Sequence, residues 1–399
     1  MKCNKKTPRR IAVVYHYFAH YRDPVIRELI EHSAHEYHFY GDTQSFDSGI
    51  KLTEIDPAHF TRTKCTQRGP LLFQWAAVKL GLSRRYDTLI LLGNCKWPTM
   101  WLSAILGRLA GKRVLFWTHG WLRHETGLQA LIRNTFYRIG HGLLLYGHRA
   151  KCIGLSYGFK PERLHVIYNS LDCQLQDQTR ATLPSDARET TRMELFPGRD
   201  QHPVLVNITR LHSYKRLDQM IRAAADLEQN GRPVNVLLVG EGPHKTELQE
   251  LADELGVHAK FTGAVYGEDE LGRMLIASDI AVMPGPVGLL AMHALAYGVP
   301  VISHNSFDKQ MPEFESIIEG KTGAFFREDE IGSLVEQIEQ LLVIKQTHEQ
   351  RTSAARELVE RFYNPVSQRK LIDRAVEGCT ADDLFNSSLE RYTERECEE

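Results

Sequence analysis

The chain is short of cysteine, and what it has is scattered: seven residues in 399, none in a Cys-x-x-Cys pair. That spacing excludes a disulfide framework and a zinc cluster, and it predicts a reducing compartment. No stretch approaches the roughly 20 apolar residues that a spanning helix needs. The apolar run at 11–14, behind the basic start MKCNKKTPRR, is too short for the core of a signal peptide. A cytoplasmic protein is expected, with peripheral attachment at an inner membrane face as its one membrane option. Neither Gly-x-Gly-x-x-Gly nor the Gly-x-x-x-x-Gly-Lys-Ser/Thr pattern occurs, which argues against NAD and ATP sites. Asp-x-Asp is also missing, so no metal-bridged diphosphate is expected; the site should need neither metal nor cofactor. There is no internal repeat and no low-complexity tract.

What is present is ordinary in bulk and uneven in detail. Hydrophobic residues at 42% and charged residues at 25% fit a globular protein, and 399 residues are too many for one core. The net charge of −1 conceals an asymmetry: residues 1–170 carry 25 Lys and Arg against 11 Asp and Glu, and the remainder is net negative. A basic first half points to an anionic partner, either an anionic membrane surface or a phosphorylated acceptor. Nucleic acid is not expected, because the basic residues form no dense run with interleaved aromatics.

Short apolar runs alternate with helical patterns. Strands are predicted over 11–16, 88–92, 113–117, 142–145 and 165–168, with helices over 23–31, 100–110 and 132–137. Residues 173–202 are polar, with Pro184 and Pro197, and read as a linker. The alternation restarts with strands at 204–208, 234–239, 280–283 and 299–302. Helices follow at 217–227, 245–255, 290–297, 331–344 and 354–362. Strand–helix alternation means parallel, doubly wound α/β sheets. The predicted layout is a first domain over 1–172, the linker, a second domain over 203–364, and a helix and tail over 365–399. Two such domains place a ligand cleft at the carboxyl ends of their strands.

The most informative segment is NITRLHSYKRLD, 207–218. A strand ends in a turn carrying Arg210, with Lys215 five residues later at a helix start. Two fixed cations beside a positive helix terminus suit a diphosphate, which Arg can grip bidentately and Lys can meet as a point charge. On these residues the chain resembles the family 4 (group 1) retaining glycosyltransferases of the GT-B fold. The resemblance covers most of 11–363 and is most specific over 204–326. It implies two Rossmann-like domains facing across a cleft, with Arg210 and Lys215 on the donor diphosphate.

Other motifs take their roles from the same resemblance. The turn LLVGEGP brings Gly242 to the donor side, and FTGAV brings Ala264 and Val265 to the nucleobase. In MPGPVGLLAMHALAYGVPVI, Gly288 and Leu289 start a helix whose amides approach a phosphate. The family has two glutamates eight residues apart in this motif, for the donor sugar and the ribose. This chain has Gly285 and His293, leaving His293 to bond ribose hydroxyls through a ring nitrogen. Glu313 matches the acidic residue of the family's Pro-Glu turn. His119, in WTHG at a strand exit, matches the histidine near the transferred sugar, and Arg123, His124 and Glu125 follow it. The family's usual glycine-rich turn after the first strand is missing; HYFAHYRD stands there instead, and by their aromatic and basic chemistry alone Tyr21 and Arg22 suit a sugar–phosphate acceptor. YNSLD at 168–172 marks the hinge.

The expected reaction moves a hexosyl group from a nucleoside diphosphate sugar to an acceptor hydroxyl, with retention. The acceptor would be a saccharide or lipid-linked saccharide in polysaccharide or glycolipid assembly. Arg210, Lys215 and the amides at Gly288 would stabilise the leaving diphosphate. Two alternatives stand beside it: a sugar-nucleotide epimerase or hydrolase of the same fold, and a non-catalytic nucleotide-sugar-binding protein, for which the missing glutamates argue.

Overall fold

The computed structural model describes residues 7–44, 51–343 and 348–379. The chain divides into two compact units, residues 1–171 with 363–399, and residues 172–362.

The first unit is built on β1 (Arg10–Val14), β2 (Glu36–Gly41), β3 (Phe60–Arg62), β6 (Thr88–Leu92), β7 (Arg113–Thr118), β8 (Gly142–Leu145) and β9 (Leu164–Val166), with β4 (Thr66–Arg68) and β5 (Leu71–Phe73) as a separate antiparallel ribbon. The seven strands are all parallel, in the order β3-β2-β1-β6-β7-β8-β9. Ile11 to Val14, Leu89 to Leu91 and Val114 to Phe116 have no accessible surface. Strands covered on both faces must be apolar at every position, and that makes them legible as continuous runs. The chain moves outward from β1 to β3, returns to β6 on the other side of β1, and continues outward to β9. That reversal opens a crevice at the carboxyl ends of β1 and β6, the place where doubly wound sheets bind ligands.

The helices of this unit are α1 (Asp23–Glu31), α2 (Trp75–Leu82), α3 (Pro98–Leu109), α4 (Gly127–Ile139) and α5 (His148–Ser156), closed by the helix Pro365–Glu377. Expected only as a terminal helix with a tail, Pro365–Glu377 is part of this first unit. It packs against α1, β8 and β9. Arg369 Nε meets Glu28 at 3.1 Å, Tyr37 and Ser33 donate to Asp373, and Leu371, Ile372, Ala375 and Val376 are buried. Gln368 is completely buried; it donates to Tyr168 O at 2.6 Å and accepts from Ser170 Oγ at 2.6 Å.

The second unit holds β10 (Val204–Ile208), β11 (Asn235–Val239), β12 (Ala259–Gly263), β13 (Ile280–Met283), β14 (Val301–His304) and β15 (Gly323–Phe326), all parallel, in the order β12-β11-β10-β13-β14-β15. Its switch point lies between β10 and β13, whose exits carry Arg210 and the 284–289 loop. Asn207 ties the two strands together there, donating from Nδ2 to Val282 O at 2.6 Å. The helices are α6 (Cys173–Thr182), α7 (Ala187–Leu195), α8 (Leu217–Gln229), α9 (Lys245–Glu254), α10 (Glu268–Ala277), α11 (Leu290–Ala296), α12 (Ile331–Val343) and α13 (His348–Arg361).

Residues 173–202 are therefore not a linker. Asp172 caps α6, accepting from Leu175 N at 3.1 Å, and both α6 and α7 pack on α10. Arg188 donates to Ile276 O and pairs with Asp279, which also pairs with Arg192. A helix held by arginine bonds to backbone carbonyls shows no apolar stripe, so its composition imitates a linker. The division between units falls between Leu171 and Asp172, inside the segment expected to be the hinge.

Among the described cysteines, Cys65, Cys95 and Cys173 are free, while Cys152 and Cys379 are each engaged in a disulfide. This departs from the expectation of a wholly reduced chain. Spacing rules do not reach cysteines that only the fold brings within range. Among the described residues no helix is long and apolar enough to cross a membrane.

Candidate active site

In the second unit the exits of β10, β11 and β13 meet backbone to backbone. Thr209 N donates to Val239 O and Leu211 N to Glu241 O, both at 3.0 Å. A Cβ on Gly240 would lie 1.8 Å from Thr209 O, and one on Gly242 would lie 2.4 Å from Leu211 O. Gly242 is thus required by the neighbouring turn itself, before any ligand arrives. The β12 exit turns at Gly263 (φ +80°), whose carbonyl accepts from Gly240 N at 2.8 Å. Ala264 is exposed and Val265 half-buried beyond it.

Arg210 is half-buried and makes neither ion pair nor side-chain hydrogen bond among the described residues. Lys215 ends a single 3-10 turn, Ser213–Lys215, and donates from Nζ to Pro286 O at 2.9 Å. Burial pushes the Lys215 ammonium down to about 8, and the buried Glu313 carboxylate opposes that shift. Both residues therefore leave cationic capacity at the switch point. Gly285 N donates to Lys215 O at 3.0 Å. A Cβ on Gly285 would meet Tyr214 O at 2.5 Å and the Lys215 backbone at 2.8 Å. The lysine turn has closed over the position at which the resemblance places a glutamate.

The loop after Gly285 rests on Gln310. Its Oε1 accepts from Val287 N at 2.8 Å, while its Nε2 donates to Ser303 Oγ and His304 O, each at 2.8 Å. Gln310 is buried, so the loop is held from beneath. The Gly288 and Leu289 amides, partly open to solvent, have no acceptor among the described residues. Two free amides thus stand at the start of α11, on the loop whose Pro286 carbonyl holds Lys215 Nζ, and amides so placed suit an anion. His293, one turn into α11, is turned aside: its ring bonds Glu268 Oε1 through Nε2 at 2.9 Å. Tyr297 donates to the same oxygen at 2.7 Å. Burial works against the Glu268 carboxylate, yet these partners hold its pKa below the ordinary value.

In the first unit, the strand exits bring together residues far apart in sequence. Arg22, at the β1 exit, lies over the ring of Tyr15 at 4.6 Å and that of Trp117 at 5.1 Å, and donates from Nη2 to Tyr146 Oη at 2.7 Å. His119, just past β7, has its ring 4.9 Å from that of Tyr146. Its imidazole is open to solvent on one side, and its pKa is lowered by the protein around it and by the Arg22 charge. It is neutral at pH 7. Tyr21 is half-buried, its ring 5.6 Å from that of His20. Glu125 is held by Arg133 through two 2.8 Å bonds and is structural.

Residues 192–358, within the second unit, match the family described as glycosyl transferases group 1. The second unit is a group 1 glycosyltransferase domain. The chain is 28% identical over 278 residues, 63% of it and 69% of the relative, to a GDP-mannose-dependent α-(1-6)-phosphatidylinositol monomannoside mannosyltransferase of Mycolicibacterium smegmatis. It is 24% identical to an α-D-kanosaminyltransferase of Streptomyces kanamyceticus, over 44% of this chain and 45% of that one. Among solved structures, a Rickettsia africae glycosyltransferase matches with a TM-score of 0.71 at 16% identity, covering 93% of this chain and 99% of the other. Anabaena HepE in complex with UDP-glucose matches at 0.66 and 17% identity, covering 92% and 99%. These likenesses establish the GT-B fold, and the chain is a glycosyltransferase of that fold.

Within the transferase, the second unit gathers Arg210, Lys215, Gly242, Gly288, Leu289 and Glu313 around one switch point, with His293 one turn further along α11. The first unit gathers Arg22 and His119 at its own strand exits. Three contributors escape inspection of the sequence. Gln310 lies in a polar loop with nothing to set it apart. Tyr146 follows a strand that reads simply as apolar. Glu268 follows the base-side turn in GEDE, where a run of acids is the ordinary mark of a helix start.

Proposed function

We propose that this transferase moves a sugar from a nucleoside diphosphate sugar to an acceptor hydroxyl with retention of configuration. The observation that carries the proposal is the convergence of Arg210, Lys215 and the free Gly288 and Leu289 amides at the switch point of the second unit. The Lys215 ammonium, held on Pro286 O, and the two amides, on a loop held by Gln310, are in place before a ligand binds, so they stabilise charge on the departing diphosphate with little reorganisation. Retention follows from the family resemblance: the leaving phosphate takes the acceptor proton on the face where the new bond forms. Relatives that use GDP-mannose and a fold neighbour that binds UDP-glucose support a nucleoside diphosphate sugar and leave the base to experiment.

The test is thermal stability of wild type and Arg210→Ala against UDP, GDP, dTDP and ADP sugars. A ligand at 100 times its Kd adds about 2.7 kcal/mol. A shift with one base that disappears in Arg210→Ala supports the reading, and the anomeric proton of the product then reports retention or inversion. No shift with any base defeats it. Gly285 and His293 favour a second reading, a nucleotide-sugar-binding protein without turnover; donor binding with no product over days would establish that one.

The acceptor is proposed to lie at an anionic membrane surface. On α3, Leu102, Ile105 and Leu109 recur at helical spacing and are exposed; on α4, Leu128, Leu131 and Ile132 do the same. The two helices pack together, with Arg108 Nη1 donating to Ile139 O at 3.0 Å. Residues 88–161 contain ten Lys and Arg and a single acid, the already paired Glu125. Exposed leucines flanked by cations suit an interfacial contact, each cation near anionic lipid contributing about 1 kcal/mol. Sedimentation with phosphatidylglycerol vesicles should exceed that with neutral vesicles and fall in Leu128→Ser/Leu131→Ser. Equal sedimentation with both kinds would remove the membrane from the proposal.

A further inference from the structure

Arg22 is a half-buried cation enclosed by aromatic faces and left without an acid. No Asp or Glu pairs with it among the described residues. The neighbouring Asp23 is used elsewhere, accepting from Thr53 Oγ1 at 2.6 Å and pairing with Arg27 at 2.8 Å. Removing a guanidinium from water is costly unless an anion or a full set of acceptors replaces the water. Here the faces of Tyr15, Trp117 and Tyr146 provide cation–π attraction, and the Tyr146 hydroxyl takes one N–H. Arg has five N–H groups in a planar fork, and the Tyr146 and Tyr15 hydroxyls together cannot use them all.

Its place in the fold indicates what that capacity is for. Arg22 follows β1, Trp117 is the penultimate residue of β7, and Tyr146 follows β8. Three strand exits of one parallel sheet thus converge on one guanidinium at the edge where such sheets take ligands. The buried rings fix its plane: Tyr15, Trp117 and Tyr146 are each no more than 3% exposed. His119 stands on the same Tyr146 ring, solvent-facing and without a hydrogen-bond partner among the described residues. A fixed fork beside a neutral imidazole suits an oxyanion, and no carboxylate pairs with it among the described residues.

We propose that Arg22 binds an oxyanion, phosphate or carboxylate, carried by the acceptor, so that the transferase selects acidic acceptors over neutral ones. This rests on the transferase reading and adds the acceptor's class to it. The aromatic walls cover the faces of the guanidinium, which leaves its edge for the anion and favours bidentate, in-plane contact. A lysine at this position would keep the charge and lose the fork.

The test is isothermal titration of the full chain with glycerol 1-phosphate, with glucuronate, and with neutral glycerol and glucose, in wild type, Arg22→Gln, Arg22→Lys and Arg210→Ala. UDP and GDP are titrated in parallel. Wild type and Arg210→Ala should bind one acidic probe with equal affinity and neither neutral one. Arg22→Gln should lose at least tenfold and Arg22→Lys several-fold, both keeping wild-type nucleotide affinity. Whichever probe binds identifies phosphate or carboxylate as the source. Thermal melting checks the fold of Arg22→Gln, and Arg22→Lys carries the test should that variant unfold. Wild-type affinity for both acidic probes in the Arg22 variants, or no acidic probe binding to wild type, overturns the proposal. Nucleotide affinity unchanged in Arg210→Ala would instead overturn the donor reading and leave this one standing.

Discussion

Restoring the glutamate that the family resemblance places at Gly285 should damage the transferase, and the geometry says by how much. An added Cβ would stand 2.5 Å from Tyr214 O and 2.8 Å from the Lys215 carbonyl carbon and Cα. All three are backbone atoms, so no rotamer change relieves the contact; the turn that presents Lys215 must move. Overpacking of this kind costs about 1–3 kcal/mol. For a unit of this size each kcal/mol lowers the melting temperature by roughly 2–4 °C, so a drop of about 2–12 °C is expected. Gly285→Ala isolates the Cβ, and Gly285→Glu adds a carboxylate close to Lys215. Because the clash lies at Cβ, both variants should melt at similar temperatures and both should bind the donor more weakly, since the Gly285 N to Lys215 O bond is lost with the turn. Scanning calorimetry with donor titration measures the two effects together. A Gly285→Glu protein that melts within 1 °C of wild type and turns over faster would refute the reasoning: it would mean that the lysine turn yields freely and that the glycine is a loss rather than a fit.

Other consequences can be measured directly. With its pKa held near 8 by burial, Lys215 loses its charge in the folded protein before it does in the unfolded chain. Between pH 8 and about 10.4 the unfolded state binds more protons, so stability should rise with pH over that window, and Lys215→Met should abolish the rise. Diphosphate affinity runs the other way, falling above pH 8, with proton uptake on binding visible when titrations are repeated in buffers of different ionisation enthalpy. The Glu268 carboxylate is held below its ordinary pKa, so its contribution is present above the unfolded value of about 4.3 and is lost as pH falls below it. Glu268→Gln should therefore flatten the acid limb of the stability profile. Glu268→Ala, which strands His293 and Tyr297, should cost about 1–3 kcal/mol at pH 7 in denaturant titration.

Much of this was readable in the sequence, for one physical reason. Central parallel strands are apolar at every position, so β1, β6, β10 and β13 declare themselves, and the residues just past their ends are the ligand edge by topology. Arg210, Lys215 and Gly288 could be located that way. β2 could not: EYHFYG interleaves His38 among its aromatics, because Nε2 of that imidazole bonds Thr61 Oγ1 at 2.8 Å. Helices α6 and α7 were hidden by arginines whose acceptors are distant carbonyls. The Arg22 cage was half visible: its arginine could be singled out, but its walls come from exits at 117 and 146 that share no local pattern. Gly285 read as an absence until the backbone around it showed that nothing larger fits.

The chain enters the second unit once and leaves it once, and the helix Pro365–Glu377 of the first unit is made only after the second unit. Synthesis therefore places roughly 190 residues between the body of the first sheet and the helix that covers α1, β8 and β9. At about 5–20 residues per second, the first unit waits some 10–40 s with that flank uncovered while the second is being made. A chain cut short between residues 362 and 365 has a complete second unit and a first unit that lacks this helix. Interruption at that point thus leaves behind a molecule whose first unit stays open on one flank, and a nascent chain of this protein is a natural client for a chaperone until the helix Pro365–Glu377 emerges.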